Sequence, residues 1–189
     1  MCRRFVAITL MSVLLGAMLV PGLALAQGEE HAMPEMGPPK QMMELTAMNG
    51  VYDVEMKYKM DPSSADWTTT KGLATIKMVL DGAAQQMDWQ GEMMGQKFTG
   101  MGMTTYDREA KAWQNTWVDS MSGRITMASG EMADGKMVIS GADMMQGMKI
   151  HTRQTSYNIT EKGFDWKYEM SMDGGETYTT AMTATYTKR

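Results

Sequence analysis

From residue 51 onward the chain alternates. Tyr52, Val54, Met56, Tyr58 and Met60 are apolar or aromatic, and Asp53, Glu55, Lys57 and Lys59 between them are charged. Successive side chains of a strand point to opposite faces, so this spacing predicts a strand with one buried and one wet face. A helix would need its apolar residues three and four apart. Strand-like segments recur at short intervals: 67–80, 84–93, 96–106, 113–119, 123–131, 136–141, 149–160, 164–172 and 177–187. Turn chemistry separates many of them, as at Asp61-Pro62-Ser63-Ser64, Asp81-Gly82, Ala133-Asp134-Gly135, Gln146-Gly147 and Asp173-Gly174-Gly175. Connections this short leave no room for crossover helices, so about ten strands must run antiparallel to their neighbours.

Sequential strands in that number expose two sheet edges unless the sheet closes. An up-and-down barrel removes the edges, and a two-sheet sandwich is the competing arrangement. The scarcity of proline after Pro62 suits continuous ladders. Ahead of the strands, Gly28, Pro34, Gly37, Pro38 and Pro39 exclude a helix or central strand, and residues 27–44 read as a Met/Pro-rich arm. Over residues 41–49, Met42, Leu45 and Met48 recur at a spacing of three, which predicts one short helix ended by Gly50. That helix could plug or flank a barrel end. The expected organisation is a leader over 1–26, an arm over 27–44 and an all-β barrel domain over 45–189.

The leader reading rests on Arg3 and Arg4, an apolar run from Phe5 to Val20, a break at Pro21-Gly22 and the small-x-small site Ala24-Leu25-Ala26. The run is short for a membrane anchor. The expectation is therefore cleavage, no membrane insertion afterwards, and a periplasmic or secreted protein of a Gram-negative bacterium. The single cysteine, Cys2, would leave with the leader, so the remaining chain forms no disulfide and is held by packing. The formal net charge is −4 and becomes more negative once Arg3 and Arg4 are lost. That excludes nucleic acid and anionic lipid as natural partners, since both require a basic face. The expected state is a monomer.

Several blocks carry a recognisable pattern. They are Gly91-Glu92-Met93-Met94-Gly95-Gln96-Lys97-Phe98-Thr99-Gly100, Thr105-Tyr106-Asp107, and Thr116-Trp117-Val118-Asp119-Ser120-Met121. Gly72-Leu73-Ala74-Thr75-Ile76-Lys77-Met78-Val79-Leu80-Asp81-Gly82 upstream and the closing Thr183-Ala184-Thr185-Tyr186-Thr187-Lys188-Arg189 fit the same pattern. The chain resembles DUF1579, a bacterial family of unknown function, from about Leu45 onward. The resemblance implies a lipocalin-like antiparallel barrel. It implies no reaction, cofactor or catalytic residue. This chain carries more methionine than the family pattern, before Leu45 and around Met144, and a shorter connection between Gly141 and Lys149.

Methionine is the compositional excess, with 26 in 189 residues. Met56, Met60, Met78, Met87, Met170, Met172 and Met182 keep strand register with aromatics and suit either barrel filling or an adaptable apolar pocket. If the barrel is a pocket, its walls are Trp89, Phe98, Trp113, Trp117, Trp166 and Tyr168. Asp119 falls in register with Trp113 and Trp117, and Arg153 with Tyr157, so these two are candidate anchors for an amphiphile's head group. The leading reading is a protein that binds a small apolar or amphiphilic molecule.

Off-period methionines support a second reading. His31, Met33 and Met36 lie on the arm, and Met144, Met145 and Met148 crowd a turn. Thioethers with an imidazole suit Cu(I) outside the cytoplasm, and exposed methionines also scavenge oxidants. No other cofactor is expected. His151, which shares its strand with Arg153, Tyr157 and Ile159, is the single imidazole of the barrel segment and the only axial-ligand candidate for a haem. An enzyme is the third reading, and the chain offers no group to carry it. Met121-Ser122-Gly123 lacks the nucleophile-elbow pattern, the glycines sit in hairpins, and Asp173-Gly174-Gly175-Glu176 lacks calcium-loop spacing.

Overall fold

The structure is a computed structural model that describes residues 36–61 and 63–189. The leader, the arm through Glu35, and with them His31 and Met33, lie outside the described residues. Ten strands follow one another: β1 Gly50–Tyr58, β2 Thr68–Val79, β3 Ala84–Met93, β4 Gln96–Asp107, β5 Ala112–Asp119, β6 Thr126–Ala133, β7 Lys136–Met145, β8 Met148–Thr160, β9 Gly163–Ser171 and β10 Thr179–Lys188. Every sequential pair is antiparallel, and β10 returns to pair with β1. The sheet is a closed up-and-down barrel, and the sandwich alternative is excluded.

Two boundaries differ from the sequence reading by three residues or more. β6 starts at Thr126 rather than residue 123, because Asp119 Oδ1 accepts the backbone N–H groups of Met121 and Ser122 and holds a turn there. β7 runs on to Met145, and the short connection that follows is a two-residue turn with Gln146 at φ 50° and Gly147 at φ 83°. Both residues of such a turn must be left-handed, which the twist of the flanking strands favours.

A meander puts the β1–β2, β3–β4, β5–β6, β7–β8 and β9–β10 connections at one end of the barrel and the remaining connections at the other. The second end is closed. A 3-10 helix, Lys40–Met48, lies across it and buries Met42, Leu45 and Met48. At three residues per turn these side chains fall on one line, so the spacing of three in the sequence is the period of this helix. Backbone bonds from Met42 N to Pro39 O and from Asn49 N to Thr46 O bracket it. Met42 belongs to the plug and not to a free arm, and the compact unit begins at Met36.

Two polar contacts seat the plug. Gln85 Nε2 donates to Leu45 O at 2.8 Å, and the Tyr52 hydroxyl donates to Met48 O at 2.8 Å. Tyr52 has no exposed surface and packs edge-on against Phe164 and Tyr186, which stack on each other at 4.3 Å. The last turn of the plug is thus tied to strands from both ends of the chain.

Leu45→Ala is expected to cost about 2–5 kcal/mol, the range for truncating a fully buried leucine. Tyr52→Phe keeps the ring and loses one buried hydrogen bond, worth roughly 0.5–1.5 kcal/mol. Urea unfolding of both variants checks the ordering.

Candidate functional site

The ladder register fixes which side chains face inward. Tyr52, Val54, Met56 and Tyr58 of β1 are buried and pair with Ala74, Gly72 and Thr70 on β2 and with Lys188, Tyr186, Ala184 and Met182 on β10. Carrying that parity round the barrel sends Trp89, Phe98, Trp113, Trp117, Asp119, Trp166 and Tyr168 inward. It sends Arg153, His151 and Tyr157 outward.

The interior is uneven. Along β1 to β4 it is filled by Tyr52, Val54, Met56, Tyr58, Ile76, Trp89, Met93 and Phe98, all buried. On β5, β8 and β9 the inward residues Asn115, Trp117, Gln154, Ser156, Trp166 and Tyr168 are only half-buried, while inward Trp113, Met137, Ile139, Ile150, Thr152 and Phe164 are buried. Solvent therefore reaches these inward side chains from the open end. Asn115 Nδ2 donates to Thr104 Oγ1 at 2.9 Å, whereas the side chains of Gln154 and Ser156 show no hydrogen-bond partner. The lumen thus carries aromatic faces beside free polar groups. Sequence reading missed Asn115, Gln154 and Ser156, because an isolated polar residue in a strand reads as outward until the register is known.

Burial pushes the Tyr168 phenol up to about 12, with the Asp143 carboxylate adding to the effect and a hydrogen bond with Thr152 opposing it. It is a neutral donor at any physiological pH. Its ring lies beside Trp166 at 6.1 Å. On the filled side, Trp89 meets Phe98 edge-on at 5.3 Å, and its indole Nε1 is the one buried side-chain polar atom without a partner among the described residues. Trp113 sits against Tyr106 at 5.3 Å within the core.

Neither anchor behaves as the sequence suggested. Asp119 faces inward at the mouth, but its carboxylate is engaged. Oδ2 accepts Trp117 Nε1 at 3.1 Å, and Oδ1 holds the β5–β6 turn. Arg153 is on the outer wall. Its Nε donates to Glu169 at 2.9 Å, and its guanidinium lies 4.1 Å from the Tyr178 ring. A bulge between Tyr157 and Thr160, with Asn158 at φ 52°, explains the misplacement. Ile159 packs on the core, and the slip puts Tyr157, Arg153 and His151 on the opposite face from it. A second irregularity between Thr180 and Met182 separates Tyr178, which meets Arg153, from the inward Met182 and Tyr186. Outward-facing His151 cannot serve a haem in the lumen. The mouth has a different cation, Arg124, which bonds Asp143 Oδ1 at 3.1 Å and Met144 O at 2.8 Å.

The turn methionines also divide. Met145 and Met148 pair across the β7–β8 turn, while Met144 pairs with Lys149 on the other face. Met36 is fully on the surface. Among the described residues no three His, Cys, Asp or Glu side chains converge on a point.

A groove of ≈ 490 Å³ lies on the outside of the wall, lined by outward residues such as Leu73, Thr75, Gln90, Thr99, Met101 and Val118. Asp88 at its edge is already held by Gln86 Nε2 at 2.8 Å. Thr75, Gln90 and Thr99 line it, so it too offers polar groups.

Two inner-wall features give predictions. The Trp117 ring lies flat over Gly100 and Gly102, and a Cβ at Gly100 would overlap it. Gly100→Ala is expected to displace the indole, cost roughly 1–3 kcal/mol and shift tryptophan emission. On the outer wall, burial alone would raise Glu169, but hydrogen bonds from Arg153 and Lys167 outweigh it and hold the carboxyl below its usual range. A depressed carboxylate stabilises the fold above its unfolded pKa, about 4.3, and loses that contribution as pH falls through the folded value. Glu169→Gln should therefore cost about 1.5–3 kcal/mol at pH 7 and much less below pH 3, read by urea unfolding at both.

Comparison with solved structures shows the fold. The barrel is similar to Rv2717c from M. tuberculosis, with TM-score 0.56 and 7% identity, covering 81% of this chain and 99% of that one. It is similar to the S-type phycobiliprotein lyase CPES from Guillardia theta, with TM-score 0.51 and 11% identity, covering 80% and 98%. No curated protein matches the sequence significantly. The family described as "Protein of unknown function (DUF1579)" matches residues 37–188, so that the plug as well as all ten strands fall within it, and the chain belongs to that family.

Proposed function

We propose that this protein binds a small amphiphilic molecule in the barrel lumen. One observation carries the reading: six inward side chains of β5, β8 and β9 stay half-buried in a barrel whose far end is plugged. Trp117, Trp166 and Tyr168 offer flat apolar faces, and Met87 and Met182 adjust to the ligand's shape. Asn115, Gln154 and Ser156 supply the few convergent polar groups that fix orientation in such pockets. Arg124 at the mouth, ion-paired with Asp143 but half exposed, would have to share its charge with an anionic head group in the role first assigned to Arg153. The leader-like start supports an exported protein. CPES is named a phycobiliprotein lyase, and at 11% identity its likeness concerns the fold, so the ligand class rests on this chain's own lining.

The test uses 1-anilinonaphthalene-8-sulfonate, a flat apolar body with an anionic head. The expected result is saturable one-to-one binding with quenching of tryptophan emission. Ser156→Phe, which fills the lumen, should abolish binding while far-UV dichroism is kept, and Met101→Glu in the outer groove should leave it unchanged. Binding that survives Ser156→Phe and is lost in Met101→Glu would move the site to the outer wall and refute the lumen.

A further inference from the structure

Exposed methionines crowd the turns of the open end, with Met43 on the plug and Met101 and Met127 on the wall outside that group. At the open end, all five connections carry or border an exposed methionine: Met60, Met94, Met121, Met148 and Met172, between 46% and 65% exposed. At the plugged end, the connections at 80–83, 108–111, 134–135 and 161–162 contain none. Barrel packing does not account for this, because these side chains lie outside the core. An apolar collar alone does not select methionine over leucine.

From this we propose that the mouth of the barrel binds a soft monovalent cation, Cu(I), at a site built on Met145 and Met148. The two residues are direct register partners flanking the Gln146–Gly147 turn. Partners of this kind have Cβ atoms about 4.5–5.5 Å apart and project to the same face, so both thioethers reach one ion. The left-handed backbone at Gln146 and Gly147 fixes that geometry before any metal arrives. A third thioether is at hand. Ser171 pairs with His151, so the chain leaves β9 beside Ile150, and the next residue is Met172. Neutral thioethers favour a soft ion over zinc or calcium, and a two- or three-sulfur set matches Cu(I). Met144, on the opposite face, takes no part. The lumen reading is independent of this site.

The experiment is an anaerobic titration of the described domain, preceded by its own arm, with Cu(I) against bicinchoninate, followed by the methionine methyl resonances. The expected result is one equivalent bound, with the Met145, Met148 and Met172 methyls shifted. Leucine keeps the apolar volume and removes the sulfur. Met145→Leu/Met148→Leu should therefore weaken Cu(I) binding by roughly a hundredfold or more while the thermal midpoint and anilinonaphthalene sulfonate binding stay unchanged. Met36→Leu/Met101→Leu, away from the mouth, should bind like wild type. No uptake by wild type, undiminished affinity in the Met145/Met148 variant, or equal loss in the Met36/Met101 control would each overturn the proposal.

Discussion

Closure of the barrel rests on one pairing between the ends of the chain. β1 meets β10 in seven consecutive register pairs, from Tyr52 opposite Lys188 to Tyr58 opposite Met182. Without them β1 and β10 would each present an unpaired ladder, and a ten-strand meander would be an open sheet with a sticky edge on either side. The inner side of the seam carries the densest aromatic contact of the molecule, Tyr52 against Phe164 and Tyr186. The outer side is clamped by Arg189 on Asp53 at 2.6 Å. Tyr52 also receives the plug through Met48 O, so closing the wall and closing the end are one event. Its contacts span nearly the whole described chain, which makes this a fold of non-local contacts and predicts slow folding relative to a helical protein of the same length.

Most of the wall was legible because the alternation that defines a strand also states which face is buried. The β1 pattern of Tyr52, Val54, Met56 and Tyr58 transfers directly into the core, and the run of Phe164, Trp166 and Tyr168 faces inward with Phe164 in the core. The turns were legible for a separate reason. Asp-Gly, Gln-Gly and Met-Gly steps can adopt the left-handed backbone that tight hairpins require. The plug was legible through its spacing of three, although a 3-10 helix and a short α-helix could not be told apart on three residues.

The anchors were not legible, and the failure has a physical cause. Parity propagates only until a strand gains an extra residue, and a bulge leaves no fixed signature. Asn158 is a polar residue in a strand of polar residues, so nothing in the sequence marks it as the place where β8 slips. Carrying the Ile159 face back across it delivers Arg153 to the wrong side of the sheet. On the outer side Arg153 has partners of its own, Glu169 and Tyr178, and its charge is spent on tying the β9–β10 connection to the wall. The polar residues that do face the lumen, Gln154 and Ser156, lie on the same strand one step out of phase with Arg153. A single slipped residue exchanged the whole set.

The two ends of the barrel ask different things of their side chains. The plugged end must exclude water, and it does so with one line of large apolar residues seated by Gln85 and Tyr52. The open end has no such constraint. Its turns could carry the Ser, Asn and Lys that soluble hairpins usually carry. They carry methionine instead, at a cost in exposed apolar surface that packing does not repay. Asp119 and Asp143 meanwhile use their carboxylates to hold the mouth in shape, Asp119 through the β5–β6 turn and Asp143 through Arg124. A mouth with a polar frame and a soft thioether lining is suited to grip a soft ion.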